Sequence, residues 1–473
     1  MTRTSFVAAL VCLAFHAHAA RAQDAKPNII LIFADDLGYG DVGCYGAKGY
    51  KTPNLDRMAA EGTRFTSFYT GCSVCSGSRA AIMTGRHYQR VGVPPVMFPG
   101  NKNGLNLNEI TLGRLLTRLG YFTGIIGKWH LGHLDRFLPT RHGFNSYYGI
   151  PYSNDMSIDP VNAKFAKDIL FREGKTEETV RKEKAINGKA PLMRGEEVIE
   201  YPVDQSTLTK RYTEEAIRLI KDNKEKPFFL YMPHTMPHVP LYASKDFKGR
   251  TNSTFGDVME ELDWSVGEVL KTVKDQGLDQ KTLVLFTSDN GVHQGSAGVL
   301  RGKKATMYEG GFRVPCIARW PSKIPAGVVN DEVAATVDLL PTFAKLAGGS
   351  APDDRPIDGK DIRPLLFGAK DAKSPHEHYL FPHQNGAMRS GPWKFYPWPE
   401  GAGKKKDKTD PPKKGVQLYD LSKDISETKN VALANPEVVQ RLSAVYQKMT
   451  EDLKKGKVEG AKEKGKYTAL GRK

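Results

Sequence analysis

Five short apolar segments, separated by stretches with helical periodicity, constrain the fold of this chain more than any other feature. They are NIILIF (28–33), YFTGII (121–126), PFFLYM (227–232), TLVLFT (282–287) and VPCIARW (314–320). Amphipathic helical patterns lie between them, as in RYTEEAIRLIKDN (211–223). Strands that are apolar along their whole length are typical of parallel sheets covered by helices on both faces. The sequence therefore predicts an α/β fold with a doubly wound, mostly parallel sheet.

The pattern changes after about residue 370. Short aromatic runs follow (HYLF, WKFY and VQLYDL), and then one helical pattern from Pro436 to Lys455. This texture predicts a smaller C-terminal antiparallel sheet with a terminal helix. A chain of 473 residues is also long for a single small core. We therefore expect a large α/β domain over residues 23–370 and a small C-terminal subdomain with a basic tail over residues 371–473.

Residues 1–22 have the features of an export signal. Arg3 gives a positive start, an apolar core follows over residues 6–15, and Ala20-Arg21-Ala22 offers a cleavage site before Gln23. No other stretch approaches the ~20 apolar residues that a membrane span requires. The sequence predicts an exported protein without a membrane span, either secreted or periplasmic.

The cysteines do not form a disulfide framework. Beyond the predicted signal only Cys44, Cys72, Cys75 and Cys316 remain. No Trp or Pro lies between Cys72 and Cys75, as a thioredoxin-type pair would have, and no second matching pair completes a zinc site. A Cys72–Cys75 redox pair stays open without the thioredoxin-type context, and the sequence does not supply the ligands of a four-cysteine zinc site.

The formal net charge is +16, and much of the excess lies in the lysine-rich segments 404–414 and 454–473. Both segments are rich in Pro, Gly and Lys, which favours a solvated surface. A nucleic-acid patch would also need interleaved aromatic residues, so we expect no nucleic-acid partner. A basic surface does help to attract a polyanionic substrate.

Polar residues follow each of the strongest predicted strands. They are Asp35 and Asp36, Lys128 and His130, His234 and His238, and Asp289 and Asn290. In open α/β sheets, ligands bind just beyond the carboxyl ends of the strands. Adjacent buried carboxylates repel each other unless a cation neutralises them. Carboxylate and amide oxygens suit calcium or magnesium, so the sequence predicts such a site at this edge.

With these residues in place, the chain resembles the type I, formylglycine-dependent sulfatase family, most closely arylsulfatase A and N-acetylgalactosamine-6-sulfatase. The matching stretches run in the family's order from about residue 28 to 430. They are ADDLGYGDVGCYG, TPNLDRMAAEGTRFTSFY, CSGSRAAIMTGR, GKWHLG, GFNSYYGIPYSND, PHTMPHVP, SDNG, GKKATMYEGGFRVP and LYDLSKDISE. The resemblance implies an alkaline-phosphatase-like fold and a sulfuric ester hydrolase.

The resemblance also explains the second cysteine. In the family, the corresponding cysteine is converted by a formylglycine-generating enzyme to formylglycine (3-oxoalanine), which implies the same for Cys75, with Arg79 completing the motif and Cys72 incidental. If a helix starts there, its free N–H groups and the positive end of its dipole would bind a sulfate anion. The chain departs from the family at Gly77, where the motif has Pro or Ala. Glycine is small, but it makes the segment more flexible.

The resemblance assigns the remaining roles residue by residue. Asp35, Asp36, Asp289 and Asn290, together with the group derived from Cys75, would hold Ca²⁺. Lys128 and Lys304 would bind the sulfate, and Ser153, which matches a family hydroxyl near His130, would contact the substrate. His238 and Lys304 would protonate the leaving alcohol, His130 would act as a base in sulfate release, and Asp289 could accept the proton of the attacking hydroxyl.

The leading hypothesis is an exported calcium-dependent sulfatase that hydrolyses sulfate monoesters of a glycan, with aryl sulfates as artificial substrates. One alternative is a phosphate or phosphonate ester hydrolase of the same superfamily. Another is a catalytically dead, carbohydrate-binding homologue in which Cys75 stays a thiol. Two points stay open: His234 is equally suited to support and to function, and specificity is expected in loops such as 155–189 and around His383 and Trp398.

Overall fold

The computed structural model describes residues 26–100, 102–184, 188–382, 386–397 and 415–458. The predicted export signal, the lysine-rich segment 404–414, His383 and Trp398 lie outside these ranges. In the part of the chain that is described, no helix combines the length and the apolarity needed to cross a membrane.

The bounds of the elements are as follows. The strands are β1 (Asn28–Ala34), β2 (Thr63–Phe65), β3 (Phe68–Tyr69), β4 (Phe122–Ile126), β5 (Ser146–Gly149), β6 (Phe165–Phe171), β7 (Leu192–Arg194), β8 (Glu197–Tyr201), β9 (Phe228–Pro233), β10 (Thr282–Ser288), β11 (Cys316–Arg319), β12 (Val328–Asn330), β13 (Ala334–Ala335), β14 (His378–Phe381), β15 (Ala387–Ser390), β16 (Trp393–Tyr396) and β17 (Gln417–Asp420). The α-helices are α1 (Pro53–Ala60), α2 (Cys75–Thr84), α3 (Leu112–Arg118), α4 (Glu177–Arg181), α5 (Leu208–Asp222), α6 (Thr254–Asp275), α7 (Glu309–Phe312), α8 (Leu339–Leu346), α9 (Arg363–Leu366) and α10 (Pro436–Asp452).

The large sheet has the strand order β12-β2-β11-β10-β1-β9-β4-β5-β7-β8-β6. Its centre, from β10 through β1, β9 and β4 to β5, is parallel. The predicted strand over residues 314–320 forms β11, but it runs antiparallel to β10. Three further strands, in the order β7-β8-β6, extend the sheet beyond β5. The mostly parallel sheet is confirmed, and the antiparallel pairs that flank its centre, β10–β11 and β11–β2 on one side and β5–β7 and β7–β8 on the other, are an addition.

Both faces of the central strands are buried. Along β1, Ile29, Leu31 and Phe33 join the core that includes residues of α2, α3 and α8. Ile30 and Ile32 join the opposite core, which includes residues of α1, α5 and α6. Side chains alternate across a strand, so a strand covered on both sides must be apolar at every position. This is the doubly wound arrangement that the apolar runs predict.

A second, four-stranded antiparallel sheet has the order β14-β15-β16-β17. Met388, Phe395 and Leu418 of this sheet form a cluster with Leu442 of α10. The predicted small antiparallel sheet with a terminal helix is therefore confirmed. Beyond α10 the chain returns to the segment after α2, where the Arg90 guanidinium donates to the carbonyls of Asp452 and Lys455, at 2.6 and 2.7 Å.

Candidate active site

The register of the central strands brings the predicted polar residues together. Ala34 of β1 lies opposite Ser288 of β10, so Asp35 and Asp289 leave the sheet side by side. The amide of Asp36 donates to Asp289 Oδ1 at 3.0 Å. From the strands on the other side, the amide of Lys128 donates to the carbonyl of Pro233 at 2.7 Å. Parallel strand ends thus gather side chains that are far apart in sequence.

Tight backbone turns aim these side chains. Asp36 and His130 have positive φ angles of 66° and 61°, in a region that costs free energy for residues other than glycine. Gly127 has a φ of 130°, and a Cβ there would lie 1.8 Å from the carbonyl oxygen of Pro233. Only glycine allows this approach, which carries the chain from β4 to Lys128 and His130.

Cys75 is the first residue of α2 and faces the carboxylates. Its Sγ lies 3.8 Å from Asp35 Oδ1 and 4.0 Å from Asp36 Oδ1. The side chain is nearly inaccessible, with 3% exposure, and burial raises the pKa of the thiol to about 12. Cys72 is also buried, but it faces Gly77: a Cβ on Gly77 would lie 2.7 Å from Cys72 Sγ. The two cysteines therefore have different surroundings.

Three cations pair with the three carboxylates. Arg79 Nη2 donates to Asp289 Oδ2 at 2.8 Å, Lys128 Nζ to Asp35 Oδ2 at 2.6 Å, and Lys304 Nζ to Asp36 Oδ2 at 2.8 Å. Burial alone would raise the pKa of Asp35, but the charges of Lys128 and its neighbours outweigh burial and lower it. Burial and the charge of Asp35 instead raise the pKa of Asp289.

Ser153 and His238 lie within the site, whereas His234 lies behind it against the helical layer. Ser153 Oγ accepts from Lys128 Nζ at 3.1 Å and lies 3.4 Å from His238 Nε2. His238 Nε2 is 3.6 Å from Asp36 Oδ2. His234 is buried and its Nε2 lies 3.5 Å from Ser265 Oγ of α6, so it contacts the helical layer. Burial lowers the pKa of His234 to about 3, which keeps this imidazole neutral.

The oxygen donors of the site fit a hard divalent cation. One ligand atom each from Asp35, Asp36, Cys75 and His238 lies within 4.8 Å of the others. Asn290 Nδ2 donates to Asp36 Oδ1 at 2.7 Å, while its Oδ1 is buried without a hydrogen-bond partner. An unpaired buried carbonyl beside carboxylates is the oxygen-rich environment that Ca²⁺ prefers. His238, which the sequence predicts as a general acid, also has a ring nitrogen within 4.8 Å of the other three ligand atoms.

One group that contacts a predicted site residue, the backbone carbonyl of Met97, could not be recognised from the sequence. The carbonyl of Met97 lies 3.0 Å from His130 Nε2. A backbone carbonyl is present at every residue, so no motif or composition marks it. The loop before Met97 could be connected with the site only once the chain was folded.

Comparison with known proteins identifies the family. The family described as Sulfatase matches residues 27–350. Arylsulfatase A of Homo sapiens is 40% identical over 448 residues, which cover 88% of this chain and 86% of that protein. The chain belongs to the sulfatase family. N-acetylgalactosamine-6-sulfatase of Canis lupus familiaris is 37% identical to this sulfatase over 379 residues, or 75% of this chain and 68% of that protein. The predicted family and sulfuric ester hydrolase are confirmed.

Solved structures support the same fold. Ps i-CgsB, in complex with k-i-k-neocarrahexaose, matches the sulfatase with a TM-score of 0.76 at 28% identity, over 92% of this chain and 95% of that one. The phosphonate monoester hydrolase of Agrobacterium radiobacter shares the fold with a TM-score of 0.60 at 19% identity, over 91% of this chain and 95% of that one. The predicted alkaline-phosphatase-like fold is confirmed, and the fold alone does not separate sulfate from phosphonate esters.

Proposed function

We propose that this sulfatase is exported and hydrolyses sulfate monoesters of a glycan, with Ca²⁺ and with formylglycine made from Cys75. One observation carries the proposal: Sγ of Cys75, at the start of α2, lies within 4.0 Å of two buried carboxylates that are themselves paired with Lys128 and Lys304. A nucleophile between metal ligands and sulfate-binding cations is the arrangement that transfer of a sulfuryl group requires.

The residues of the site would hold both groups that the proposal requires. Asp35, Asp36, Asp289 and Asn290 would hold the calcium, with the residue derived from Cys75 beside it. When bound, Ca²⁺ supplies positive charge against the sulfate oxygens, and hydrated formylglycine supplies the nucleophilic hydroxyl. An unmodified Cys75 thiol, buried and protonated at neutral pH, offers no comparable oxygen nucleophile.

The cations of the chain bind and orient the sulfate. Lys128 and Lys304 each place an ammonium group beside a buried carboxylate, and Arg79 Nη2 lies 3.5 Å from Asp35 Oδ1. Positive charges held in a buried site need no reorganisation when negative charge develops on the substrate oxygens. Ser153 lies between Lys128 and His238 and would orient both toward the substrate.

Proton transfer completes the hydrolysis, in which water converts the sulfate monoester to sulfate and an alcohol. As the bond between sulfur and the alcohol oxygen breaks, that oxygen keeps the electron pair and receives a proton from His238 or Lys304. His130 accepts a proton during release of sulfate. Asp289, whose pKa is raised by burial, would accept the proton of the attacking hydroxyl.

A glycan is the substrate class that we propose. Ps i-CgsB, which shares the fold and 28% of its residues with this chain, was solved with an oligosaccharide. The relative N-acetylgalactosamine-6-sulfatase is named for a sulfated sugar. The formal net charge of +16 also suits a polyanionic substrate.

The test measures the mass of the Cys75 peptide, the calcium content of the protein and the release of sulfate from a sulfated sugar. The protein, produced with a formylglycine-generating enzyme, should carry the mass of formylglycine in the tryptic peptide of Cys75 and about one calcium per chain. It should release sulfate from a sulfated sugar and lose this activity to a calcium chelator. A matched phosphonate monoester should be a much poorer substrate. An unmodified peptide together with an inactive protein would support the dead homologue, and preference for the phosphonate would support the other alternative.

A further inference from the structure

The hydrogen bond to His130 identifies which ring nitrogen carries the proton. His130 Nε2 lies 3.0 Å from the carbonyl oxygen of Met97. A carbonyl oxygen only accepts hydrogen bonds, so Nε2 must be the donor and carry the hydrogen. In a neutral imidazole the other nitrogen then holds a lone pair. His130 Nδ1 is buried and has no hydrogen-bond partner in the described structure, which leaves that lone pair available.

The Met97 carbonyl is held in place by the helix that carries Cys75. The amide of Met97 donates to Ser76 Oγ at 3.0 Å. The amide of Gly77 donates to the carbonyl of Pro95 at 3.0 Å. The loop before Met97 is therefore bound twice to the first turn of α2. Ser76 and Met97 are both fully buried, so no water competes for these bonds.

Other contacts restrict the His130 ring itself. Its amide donates to the carbonyl of Pro151 at 3.0 Å, and its φ of 61° fixes the direction of the side chain. The edge-to-face contact with the ring of Tyr152 has centroids 5.6 Å apart at 86°. Burial and the charge of Lys128 lower the pKa of His130 well below its ordinary value, which keeps the ring neutral.

We propose that Ser76 is a positioning residue: by holding the Met97 carbonyl against Nε2, it fixes the tautomer of His130 and leaves Nδ1 as the proton acceptor in sulfate release. The opposite tautomer would set the Nε2 lone pair against the carbonyl oxygen, which is repulsive. The link from Ser76 to the tautomer stands on the hydrogen bonds. The role of Nδ1 in sulfate release rests on the proposed function.

The first experiment reads the tautomer directly and needs neither maturation nor turnover. Long-range ¹H–¹⁵N spectra of [¹⁵N]histidine-labelled protein, with Cys75 as a thiol, distinguish a protonated Nε2 from a protonated Nδ1. The His130 signals are assigned by their loss in His130→Asn. The wild-type protein should show protonated Nε2. Ser76→Ala should show a mixture of the two tautomers, and Ser76→Thr, which keeps the hydroxyl, should behave as the wild type.

Ser78→Ala is the matched control. Ser78 lies in the same helix and is equally buried, but its hydroxyl has no hydrogen-bond partner. This variant should leave the His130 signals unchanged. A protonated Nδ1 in the wild type, or a Ser76→Ala spectrum identical to that of the wild type, would overturn the proposal. A spectrum equally perturbed by Ser78→Ala would also overturn it, because the effect would then belong to the helix.

The second experiment is kinetic and uses matured enzyme, normalised to the formylglycine content of each variant. A defect confined to sulfate release lowers kcat and KM together and leaves kcat/KM, which reports the steps through alcohol departure, unchanged. For Ser76→Ala we expect kcat to fall roughly 10- to 100-fold, less than the ~10²–10⁴-fold contribution of a complete general base, because the His130 ring is still present. An unchanged kcat, or an equal loss in kcat/KM, would overturn the role in release. Absence of sulfatase activity in the wild type would overturn the proposed function, and the tautomer spectra would still decide the role of Ser76.

Discussion

Buried charges occur in two regions of the molecule, and they are satisfied differently. At the base of the small sheet, Lys394 Nζ donates to Glu309 Oε1 at 2.7 Å, with both side chains fully buried. The other carboxylate oxygen of Glu309 accepts from the Tyr69 hydroxyl at 2.6 Å and from Arg313 at 3.2 Å. Both oxygens of this carboxylate therefore have partners within the protein, and this pairing compensates for their desolvation.

The active-site edge is different. Its carboxylates are paired, but Asn290 Oδ1 and His130 Nδ1 are buried without hydrogen-bond partners in the described structure. Unpaired polar atoms in a buried site are costly, and those that lie beside carboxylates and cations are the ones that a ligand or a reaction can use. Complete pairing therefore indicates a structural cluster, and incomplete pairing beside a possible nucleophile indicates a site. The comparison predicts that variants of the first region change stability and variants of the second change activity.

The largest expected effect is the loss of turnover in Cys75→Ser. In a host whose maturation enzyme converts only cysteine, this variant keeps a serine hydroxyl and lacks the hydrated aldehyde. Turnover should fall to background while the unfolding midpoint in urea stays near that of the wild type. Cys72→Ala is the control and should retain substantial activity. A Cys75→Ser protein that remained active in such a host would exclude the formylglycine mechanism.

His238→Ala should separate two kinds of substrate. A sugar alcohol is a poor leaving group that needs a proton, whereas a nitrophenolate hardly does. Turnover of a sugar sulfate should fall by ~10²–10⁴-fold, and turnover of an activated aryl sulfate far less. Lys128→Ala, which removes a proposed sulfate-binding cation, should reduce both rates more evenly. Equal losses for His238→Ala on both substrates would move the acid role to Lys304 alone.

Lys394→Met should affect stability and leave the chemistry unchanged. It leaves the Glu309 carboxylate without its nearest cation, and breaking a buried pair in this way costs about 3–5 kcal/mol. The free energy of unfolding, measured in urea, should fall by this amount, while kcat at 20 °C below the new melting temperature is retained. Adding Glu309→Gln removes the uncompensated charge and should recover part of the loss. A cost near zero would contradict the structural role of the pair.

Glu427→Gln should remove a pH dependence of stability. Burial raises the pKa of Glu427 to about 7 from an ordinary value of 4.5. The folded state therefore binds a proton that the unfolded state releases, and stability is greatest below pH 4.5 and declines as the pH rises to about 7. The difference amounts to at most about 3 kcal/mol. Urea unfolding of the two proteins at pH 4.5 and pH 7 measures it, and parallel curves would contradict it.

Gly77→Ala should have the smallest effect. The new Cβ would lie 2.7 Å from Cys72 Sγ and 3.1 Å from Tyr88 Cγ, and overpacking of this kind costs about 1–3 kcal/mol. In a Cys72→Ala background the sulfur is absent, so the same substitution should cost less. The comparison is a double-mutant cycle on the free energy of unfolding. Additive losses would show that the two positions are independent.

The sequence predicts the centre of the molecule better than its edges. The segments 28–33 and 282–287 are recognisable because both faces of β1 and β10 are buried, and their polar ends identify Asp35 and Asp289. The direction of β11 is set by its pairing with β10, which an apolar run does not encode. The outer strand β6 has exposed residues in an irregular pattern, so no period of two marks it.

Within the site, the side chains were predictable and the backbone contacts were not. Asp36, Lys128 and His130 carry recognisable chemistry at recognisable strand ends. The Met97 carbonyl has no side-chain signature. The departure from the family motif at Gly77 is explained by the fold, because the side chain of Cys72, five residues earlier in the chain, packs where a Cβ on Gly77 would lie.

The hydrogen bonds of Arg90 have a consequence for the timing of biosynthesis. The carbonyls that Arg90 binds belong to residues 362 and 365 positions later in the chain. A ribosome adding about 5–20 residues per second needs on the order of half a minute to reach them. During that interval the segment after α2 lacks its final partners, although Cys75 becomes 3% exposed once the fold is complete. Under the proposed conversion of Cys75, a modifying enzyme would therefore reach the thiol while the chain is still being made.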